Sequence, residues 1–494
     1  MVNRKARQGG ATLLLVTFVS TFVLMPIIGT CMDGAILFWV KARLQAAVDA
    51  TALATARSLN VGQTTASQET NAEQLGIQYF TANFPTGVMR TTLVGGAPTI
   101  TINETVVHKR IVNVNASVTL PTFFMRIIGV NSSTVSASGQ ATRRDANVML
   151  VLDRSNSMNQ NGSCAALVSV AQNFVSQFVD GRDQLGLVTF QTGANLDYAP
   201  TLTFKSGSPS LNSVLATLQC AGDTSTAQGM YLAYNQIKTV INEPGALNVI
   251  LLFTDGEPNG LVANFNIKTK TDTRYDATNT SSLVSTPPSG CNASDSLSGV
   301  ISDGSAETAS TVTALNQTGY TVAVLSSAGV PISNTSNPTT INAAGCAFPN
   351  SDWTYSIYGR QDIAAIPTQD AYGNSTVDGG YMALDYFPTG DAYAGLIRPD
   401  MPRTTRWASF NAADSMAQTI RNDTTYAPVI YTIGLQGNEP MAIDQDFMER
   451  LANASGASNF DATKPQGDFI LATSTAGLAQ AFQQIASQIL RLSR

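Results

Sequence analysis

Histidine is almost absent, because His108 is the single histidine among 494 residues. Serine and cysteine hydrolases place an imidazole beside the nucleophile, and many catalytic zinc sites hold the ion through several histidine ligands. His108 lies in a strand-like stretch, far along the chain from the polar motifs described below. The sequence therefore disfavours a histidine-dependent hydrolase and excludes a zinc site built from several histidines.

Charged residues are also scarce, at 13% of the chain, which is about half of the usual share. With a net charge of −6, electrostatic binding of nucleic acid is not expected. Hydrophobic residues make up 44%, enough for a substantial core, and the length predicts two or three modules. Small and polar residues are abundant in place of the charged ones, and such a composition is common in exported proteins.

An uncharged apolar run near the N-terminus predicts a membrane span. Basic residues precede the run within residues 1–8, and the next Lys or Arg is Lys41. The apolar centre, Ala11–Ile28, is long enough to cross a bilayer. By the positive-inside rule we predict a cytoplasmic segment at 1–8, a transmembrane helix at 9–32 and the bulk of the chain outside. A cleaved signal peptide is the alternative interpretation.

The next regions are predicted as a helical stalk at 33–60 and a small antiparallel β region at 61–144. Apolar residues recur at helical spacing in the stalk, and alternation of apolar and polar residues predicts strands after it. The predicted strands are Thr99–Val107, Arg110–Leu120 and Asn131–Thr142. A long apolar helix followed by a small sheet is typical of pilins, and a membrane-proximal stalk with no assembly role is the alternative.

Residues 145–494 alternate strand-like and helix-like segments. The predicted strands are Val148–Leu152, Leu185–Phe190, Asn248–Phe253, Tyr320–Leu325 and Val429–Ile433. The predicted helices are Ser163–Val179, Thr224–Ile241 and Thr475–Leu492. This alternation predicts an α/β fold with a doubly wound, mostly parallel sheet. Residues 258–426 interrupt the pattern and are predicted as a large insertion at the ligand-binding edge.

Oxygen-bearing side chains follow the predicted strands at the carboxyl edge of this sheet. Asp153, Ser155 and Ser157 follow the first strand, Asp255 closes a later one, and Thr224 precedes a helix between them. Carboxylates and hydroxyls are hard ligands that suit Mg²⁺ first, or Ca²⁺ or Mn²⁺. Because few of the ligands are charged, the ion would keep residual positive charge and room for a partner's carboxylate.

The arrangement resembles the von Willebrand factor A domain and its metal-ion-dependent adhesion site, whose signature is Asp-x-Ser-x-Ser, a Thr and a later Asp. The resemblance implies that Ser155, Ser157 and Thr224 bind the ion directly, while Asp153 and Asp255 act largely through water. A degenerate domain that keeps the hydroxyl loop only for its turn geometry is the alternative.

The N-terminal region resembles the TadE/TadG-like proteins of Tad (Flp) pilus assembly. The matching segments are Arg43–Ala54, Tyr79–Phe84 and Ile489–Leu492. TadG-like proteins pair such an anchor with a C-terminal A domain. The resemblance implies a single-pass protein of the bacterial inner membrane, with its bulk in the periplasm or at the cell surface. Its partners would be pilus or other envelope proteins.

Four cysteines lie in the exported portion. The A-domain fold brings Cys164 and Cys220 close together, so a disulfide between them is expected beside the metal loops. Cys291 and Cys346 lie in the predicted insertion and would link it internally. An oxidising compartment permits both disulfides, and four free thiols in a reducing compartment are the alternative.

The main functional hypothesis is a protein that binds an acidic group on a partner through a divalent cation, and not an enzyme. A cell-surface adhesin for external ligands is the first alternative. A Mg²⁺-dependent phosphoryl hydrolase with Asp153 as nucleophile is the second. Such hydrolases usually carry another aspartate two residues on, where this chain has Ser155.

Overall fold

The structure is a computed structural model that divides into two compact units, residues 1–144 and 145–492. We refer to them as the N-terminal unit and the C-terminal unit. The structure describes residues 5–59, 65–106, 109–275, 282–287, 296–302, 340–343, 346–349, 363–377, 381–436 and 443–492.

A long helical stretch opens the N-terminal unit. It comprises α1 (Lys5–Val19), a π-helical turn (Ser20–Leu24) and α2 (Met25–Ser58). Within the described residues, Thr12–Ser58 is the one helix long and apolar enough to cross a membrane. Its first half carries exposed apolar side chains, whereas its second half is buried at Val40, Leu44 and Val48. The first half of this helix is therefore exposed in the N-terminal unit, whereas its second half packs against the rest of that unit.

The second half of α2 packs against a helix and a four-stranded antiparallel sheet. These elements are α3 (Thr65–Asn83), β1 (Thr92–Leu93), β2 (Thr99–Val106), β3 (Lys109–Pro121) and β4 (Ser132–Arg144). The three strands predicted by alternation are present within two residues of their expected bounds. Helix α3 falls in a region predicted only as β. Its buried positions include Gln68, Ala72 and Phe80, a narrow stripe too polar to give a clear helical pattern.

The C-terminal unit is built on a six-stranded sheet. From β5 to β8 its elements are β5 (Ala146–Asp153), α4 (Asn156–Gln160), α5 (Cys164–Ser176), β6 (Gln184–Phe190), β7 (Ala194–Thr201), α6 (Leu211–Leu215), α7 (Thr226–Gln236) with a π-helical turn (Ile237–Ile241), and β8 (Leu247–Thr254).

Further elements lie between β8 and the C-terminus. They are β9 (Gly260–Asn266), β10 (Asp272–Tyr275), β11 (Ser282–Ser285), β12 (Ser296–Ser302), β13 (Thr340–Ala343), β14 (Cys346–Pro349), α8 (Pro402–Arg421), β15 (Val429–Leu435), α9 (Gln445–Ala452), β16 (Phe469–Ala472) and α10 (Thr475–Leu492).

The order of strands across the large sheet is β16-β15-β8-β5-β6-β7. Neighbouring strands are parallel except for the antiparallel pair of β6 and β7. Strands β5 and β8 are buried along their whole length, because helices cover both faces. One core includes Met230 of α7 and Met416 of α8, and the other includes Phe174 of α5 and Phe482 of α10. The predicted doubly wound, mostly parallel α/β fold is confirmed.

Part of the region predicted as an insertion belongs to the sheet's helical layers. Helix α8 packs against α7, and its side chains from Ala408 to Ile420 contribute to the core. A helix is expected there because parallel neighbours such as β8 and β15 require a crossover connection. The departure from the α/β pattern therefore ends before Pro402. The predicted strand Tyr320–Leu325 lies outside the described residues.

Candidate metal centre

The candidate metal centre lies where β5 and β8 end side by side. The two strands are parallel neighbours, with Leu152 opposite Phe253 in the register. Asp153 is the last residue of β5, and Asp255 follows the last residue of β8. The carboxyl edge of a parallel sheet is where such folds bind ligands. The fold therefore brings two carboxylates together from positions about a hundred residues apart.

A chain of hydrogen bonds joins three of the predicted ligands. The Oγ atoms of Ser155 and Ser157 lie 2.8 Å apart. Ser157 Oγ in turn donates to Asp255 Oδ1 at 2.6 Å. The other carboxylate oxygen of Asp255 accepts a hydrogen bond from Asn161 Nδ2 at 3.0 Å. Both serine hydroxyls and the Asp255 carboxylate are thus held in contact.

Asp153 lies beneath this chain and is fully buried. Its carboxylate accepts hydrogen bonds from Thr254 Oγ1 at 2.5 Å and from the backbone N–H of Ser155 at 2.7 Å. Burial raises the pKa of Asp153, and the negative charge of Asp255 raises it further. Burial also raises the pKa of Asp255. Two buried carboxylates that repel each other form a site where a cation would be stabilised.

The loop that carries Thr224 is bonded to the loop that carries the serines. Asn156 N–H donates to the carbonyl of Gly222 at 2.8 Å, which ties this loop to the one that carries the serines. Thr224 N–H donates to Asn259 Oδ1 at 2.7 Å, and the Thr224 side chain is buried. Gly222 has a φ of +84°, and a Cβ there would lie 2.8 Å from Thr192 Oγ1. The loop conformation therefore requires glycine at this position.

The donor set fits a hard divalent cation. It offers two carboxylates and three hydroxyls, all of them oxygen ligands of the kind that Mg²⁺, Mn²⁺ and Ca²⁺ accept. Across the described residues no cluster of three or more His, Cys, Asp or Glu side chains could hold an ion. A metal bound here would thus depend on hydroxyls as much as on charge. Asp223, beside Thr224, accepts a hydrogen bond from Thr192 Oγ1 at 3.3 Å.

Three residues that support the site are not among the predicted ligands. Thr254 belongs to the Thr-Asp-Gly motif, so its position was visible in the sequence although its role was not. Asn161 and Asn259 each reach a loop distant in sequence, and no local pattern marks such contacts. Asn259 is the second residue of the predicted insertion, so this region supports the Thr224 loop directly.

A disulfide lies beside the same loops. Cys164 at the start of α5 is bonded to Cys220, and their Cα atoms are 6.1 Å apart. Cys31 is free and exposed. Cys291 and the side chain of Cys346 lie outside the described residues, so their pairing remains a prediction.

The sheet order, the covered faces and the edge site define the fold of the von Willebrand factor A class. Residues 148–257 match the family described as von Willebrand factor type A domain. The C-terminal unit therefore contains a von Willebrand factor A domain. The matched segment includes Asp153, Ser155, Ser157, Thr224 and Asp255.

Curated proteins similar to the chain match about a quarter of its length. Calcium-activated chloride channel regulator 3A-1 of Mus musculus is 30% identical over 119 residues, which cover 24% of this chain and 13% of that protein. A UPF0353 protein of Nocardia farcinica is 28% identical over 146 residues, which cover 27% of this chain and 42% of that protein. The chain thus spans less than half the length of either relative.

Solved structures with a similar shape include three proteins. The vWF domain of the type V pili tip protein Mfa5 from Porphyromonas gingivalis has a TM-score of 0.37 and 19% identity, covering 72% of this chain and 98% of that one. The pilus adhesin SpaC from Lactobacillus rhamnosus GG has a TM-score of 0.35 and 11% identity, covering 80% and 34%. The mussel byssus protein PTMP1 with a zinc-occupied MIDAS motif has a TM-score of 0.32 and 10% identity, covering 70% and 46%. All three TM-scores are below 0.5.

Proposed function

We propose that the chain is a membrane-anchored, non-catalytic protein that binds an acidic group of a partner protein through a divalent cation. The observation that carries the proposal is the hydrogen-bonded chain from Ser155 through Ser157 to Asp255. These side chains are held at the carboxyl edge of the sheet, and Ser157 is only partly buried. The site is therefore built to present hydroxyl oxygens toward the outside.

The proposed chemistry follows from the charges of the ligands. Ser155, Ser157 and Thr224 would hold the ion directly, and Asp153 and Asp255 would act largely through water. A bound Mg²⁺, or Mn²⁺ or Ca²⁺ in its place, would supply positive charge with a coordination position open to a carboxylate. Neutral hydroxyls leave that charge largely uncompensated, so a partner's carboxylate would be attracted to it.

No catalytic step is proposed. A hydrolase with Asp153 as nucleophile would need an exposed carboxylate, whereas Asp153 is fully buried and accepts hydrogen bonds from Thr254 and Ser155. The position two residues on, where a second acidic group would be expected, is occupied by Ser155. Its hydroxyl is engaged with Ser157.

The finer assignment is to bacterial Tad (Flp) pilus assembly, with the N-terminal helix in the inner membrane and the A domain in the periplasm or at the cell surface. It is supported by the resemblance of the N-terminal segments to TadE/TadG-like proteins and by the apolar helix. A cell-surface adhesin would share the same A domain. Accessibility of the A domain to a protease added to intact cells would distinguish the two locations.

The central test is partner capture with and without free divalent metal. The full chain in detergent would be incubated with envelope extract in Mg²⁺ or in excess chelator, alongside Asp153→Ala and the control Ser169→Ala. Ser169 is exposed on α5 and bonds only to its own helix. We expect capture to be lost with chelator and with Asp153→Ala, and retained with the control. Capture unchanged by both treatments would remove the metal from the mechanism.

A further inference from the structure

We infer that the loop between β3 and β4, residues 122–131, enters the lipid interface of the bilayer that the N-terminal helix spans. We call this loop the hairpin tip. The inference rests on the proposed membrane anchoring and adds a second membrane contact to it. That contact would fix how the N-terminal unit is held on the membrane surface.

The hairpin tip exposes a dense set of large apolar side chains. Ile127 is 74% exposed and Ile128 is 65% exposed. The other exposed apolar residues of the tip are Phe123, Phe124 and Val130. Such a concentration of apolar surface marks an interaction site in a folded protein. The tip also carries one exposed cation, Arg126, which suits the phosphates of lipid headgroups.

The tip lies beside the helix at the end of the predicted span. Phe124 packs directly on Gly29, where a Cβ would be 2.5 Å from the Phe124 ring. Gly29 lies within the predicted transmembrane segment 9–32, one residue beyond its apolar centre. The exposed side of the helix continues this apolar surface at Ile28 and Met32. The tip therefore lies at the level where the chain leaves the hydrocarbon and is continuous with the lipid-facing surface.

Asp33 shows how a carboxylate is accommodated at this level. It is only 3% exposed, and its carboxylate accepts hydrogen bonds from the backbone N–H groups of Phe123, Phe124 and Met125 at 2.7 to 3.0 Å. The charge is thus solvated by the tip and not by water. A buried carboxylate next to an apolar span needs such donors if the surroundings are lipid.

Six backbone N–H groups between Phe123 and Val130 have partners within the tip or on Asp33, as entry into lipid requires. Besides the three donors to Asp33, Ile127 N–H donates to the Phe124 carbonyl at 3.0 Å. Gly129 N–H donates to the Arg126 carbonyl, and Val130 N–H to the Met125 carbonyl, both at 3.1 Å. A loop built for water could leave such donors to the solvent, whereas six of those between Phe123 and Val130 are paired within the tip or with the Asp33 carboxylate.

The test measures lipid exposure at three positions of the full chain in phosphatidylethanolamine–phosphatidylglycerol vesicles. Cys31, Cys291 and Cys346 would be replaced by serine, and a nitroxide attached in turn to Val16→Cys, Ile127→Cys or Asn103→Cys. The spin label's collision rates with oxygen, which concentrates in lipid, and with a water-soluble nickel complex would be compared. Asn103 is an exposed control in the same sheet, paired with Ile111 and so roughly 33 Å along β3 from the tip.

We expect oxygen collisions to exceed nickel collisions several-fold at positions 16 and 127, and the reverse at position 103. Lipid exposure at 16 with water exposure at 127 would overturn the inference and leave the anchoring intact. Water exposure at 16 would refute the anchoring, and the inference with it. A label at 127 shielded from both reagents would point to a second copy of the chain covering the tip, and would also overturn the inference.

Discussion

Ser157 and Asp255 are 98 residues apart in the chain, yet Ser157 Oγ donates a 2.6 Å hydrogen bond to Asp255 Oδ1. The bond joins the loop after β5 to the loop after β8. It brings a hydroxyl and a carboxylate to the position where a divalent ion would be shared between them. Ser157 is also the partly exposed member of the site, so it is the residue that most directly connects metal binding with partner binding.

Replacing Ser157 by alanine is expected to weaken divalent metal binding by at least about tenfold, because one proposed ligand and one hydrogen bond to Asp255 are lost. Isothermal titration of Mg²⁺ and Mn²⁺ into the purified chain would measure this. Ser169→Ala, which removes a hydroxyl from an exposed helical position, should bind metal as the unmodified chain does. Equal affinities for both variants would contradict the assignment of Ser157.

The regular elements of the C-terminal unit were predictable where the pattern was strong. Helix α10 runs from Thr475 to Leu492 as expected, because its buried positions, among them Phe482 and Ile485, recur at helical spacing. Helix α8 was missed because every residue from Ala408 to Asp414 is buried, polar ones included, so the segment has no clear apolar stripe at helical spacing. It was obscured by the turn-rich residues that precede it.

The arrangement of the candidate site was predictable to the extent that it is local in sequence. Asp153, Ser155 and Ser157 lie in one short loop, and the fold class places Thr224 and Asp255 at the same edge. The supporting residues Asn161 and Asn259 were not predictable. They act through contacts between loops, and such contacts depend on tertiary packing that no single segment encodes.

Removing the Cys164–Cys220 disulfide is expected to destabilise the C-terminal unit by about 2 to 4 kcal/mol, because the bond closes a loop of 56 residues in the unfolded chain. The paired variant Cys164→Ser with Cys220→Ser would be compared with the unmodified chain by calorimetry, each with and without reductant. The unmodified chain should lose stability on reduction, whereas the paired variant should not respond. A reductant response of equal size in both would assign the effect to other cysteines.

A buried ion cluster predicts a second stability effect. Asp272 lies 2.7 Å from Lys268 Nζ and 2.6 Å from Arg274 Nε, and all three side chains are fully buried. Asp272→Asn would remove the negative charge that lies between two buried cations, so we expect a loss of about 3 to 5 kcal/mol in the free energy of unfolding.

The matched control for this cluster is the partly exposed pair of Glu257 and Arg406, whose nearest atoms are 3.4 Å apart. Glu257→Gln should cost no more than about 1 kcal/mol, because water screens that pair. Urea unfolding of both variants would give the comparison. Similar losses for the two substitutions would show that burial does not determine the contribution of these pairs.

The stability of the loop around Asp370 is expected to depend on pH. Burial raises the pKa of Asp370 from 3.8 to about 6, against the opposing effect of hydrogen bonds from Asn374 and Tyr372. The folded state therefore keeps its proton to a higher pH than the unfolded state does. This contribution to stability is fully present below about pH 3.8, decreases as the pH rises and is lost above about pH 6. At about 1.4 kcal/mol per tenfold change in proton affinity, the decrease is at most about 3 kcal/mol.

The variant Asp370→Asn tests this because it cannot titrate. The amide of the variant cannot accept the hydrogen bond from Asn374 Nδ2 at both of its positions, so the variant is expected to be less stable, but its side chain at position 370 neither gains nor loses a proton across this range. We therefore expect the unmodified chain to lose protection between pH 4 and pH 7, and the variant to lose less. Amide hydrogen exchange of residues 363–377, corrected for the intrinsic pH dependence of exchange, would measure both. Parallel curves across this range would show that the Asp370 carboxyl titrates alike in the folded and unfolded states, because only a difference between its two pKa values can separate the curves.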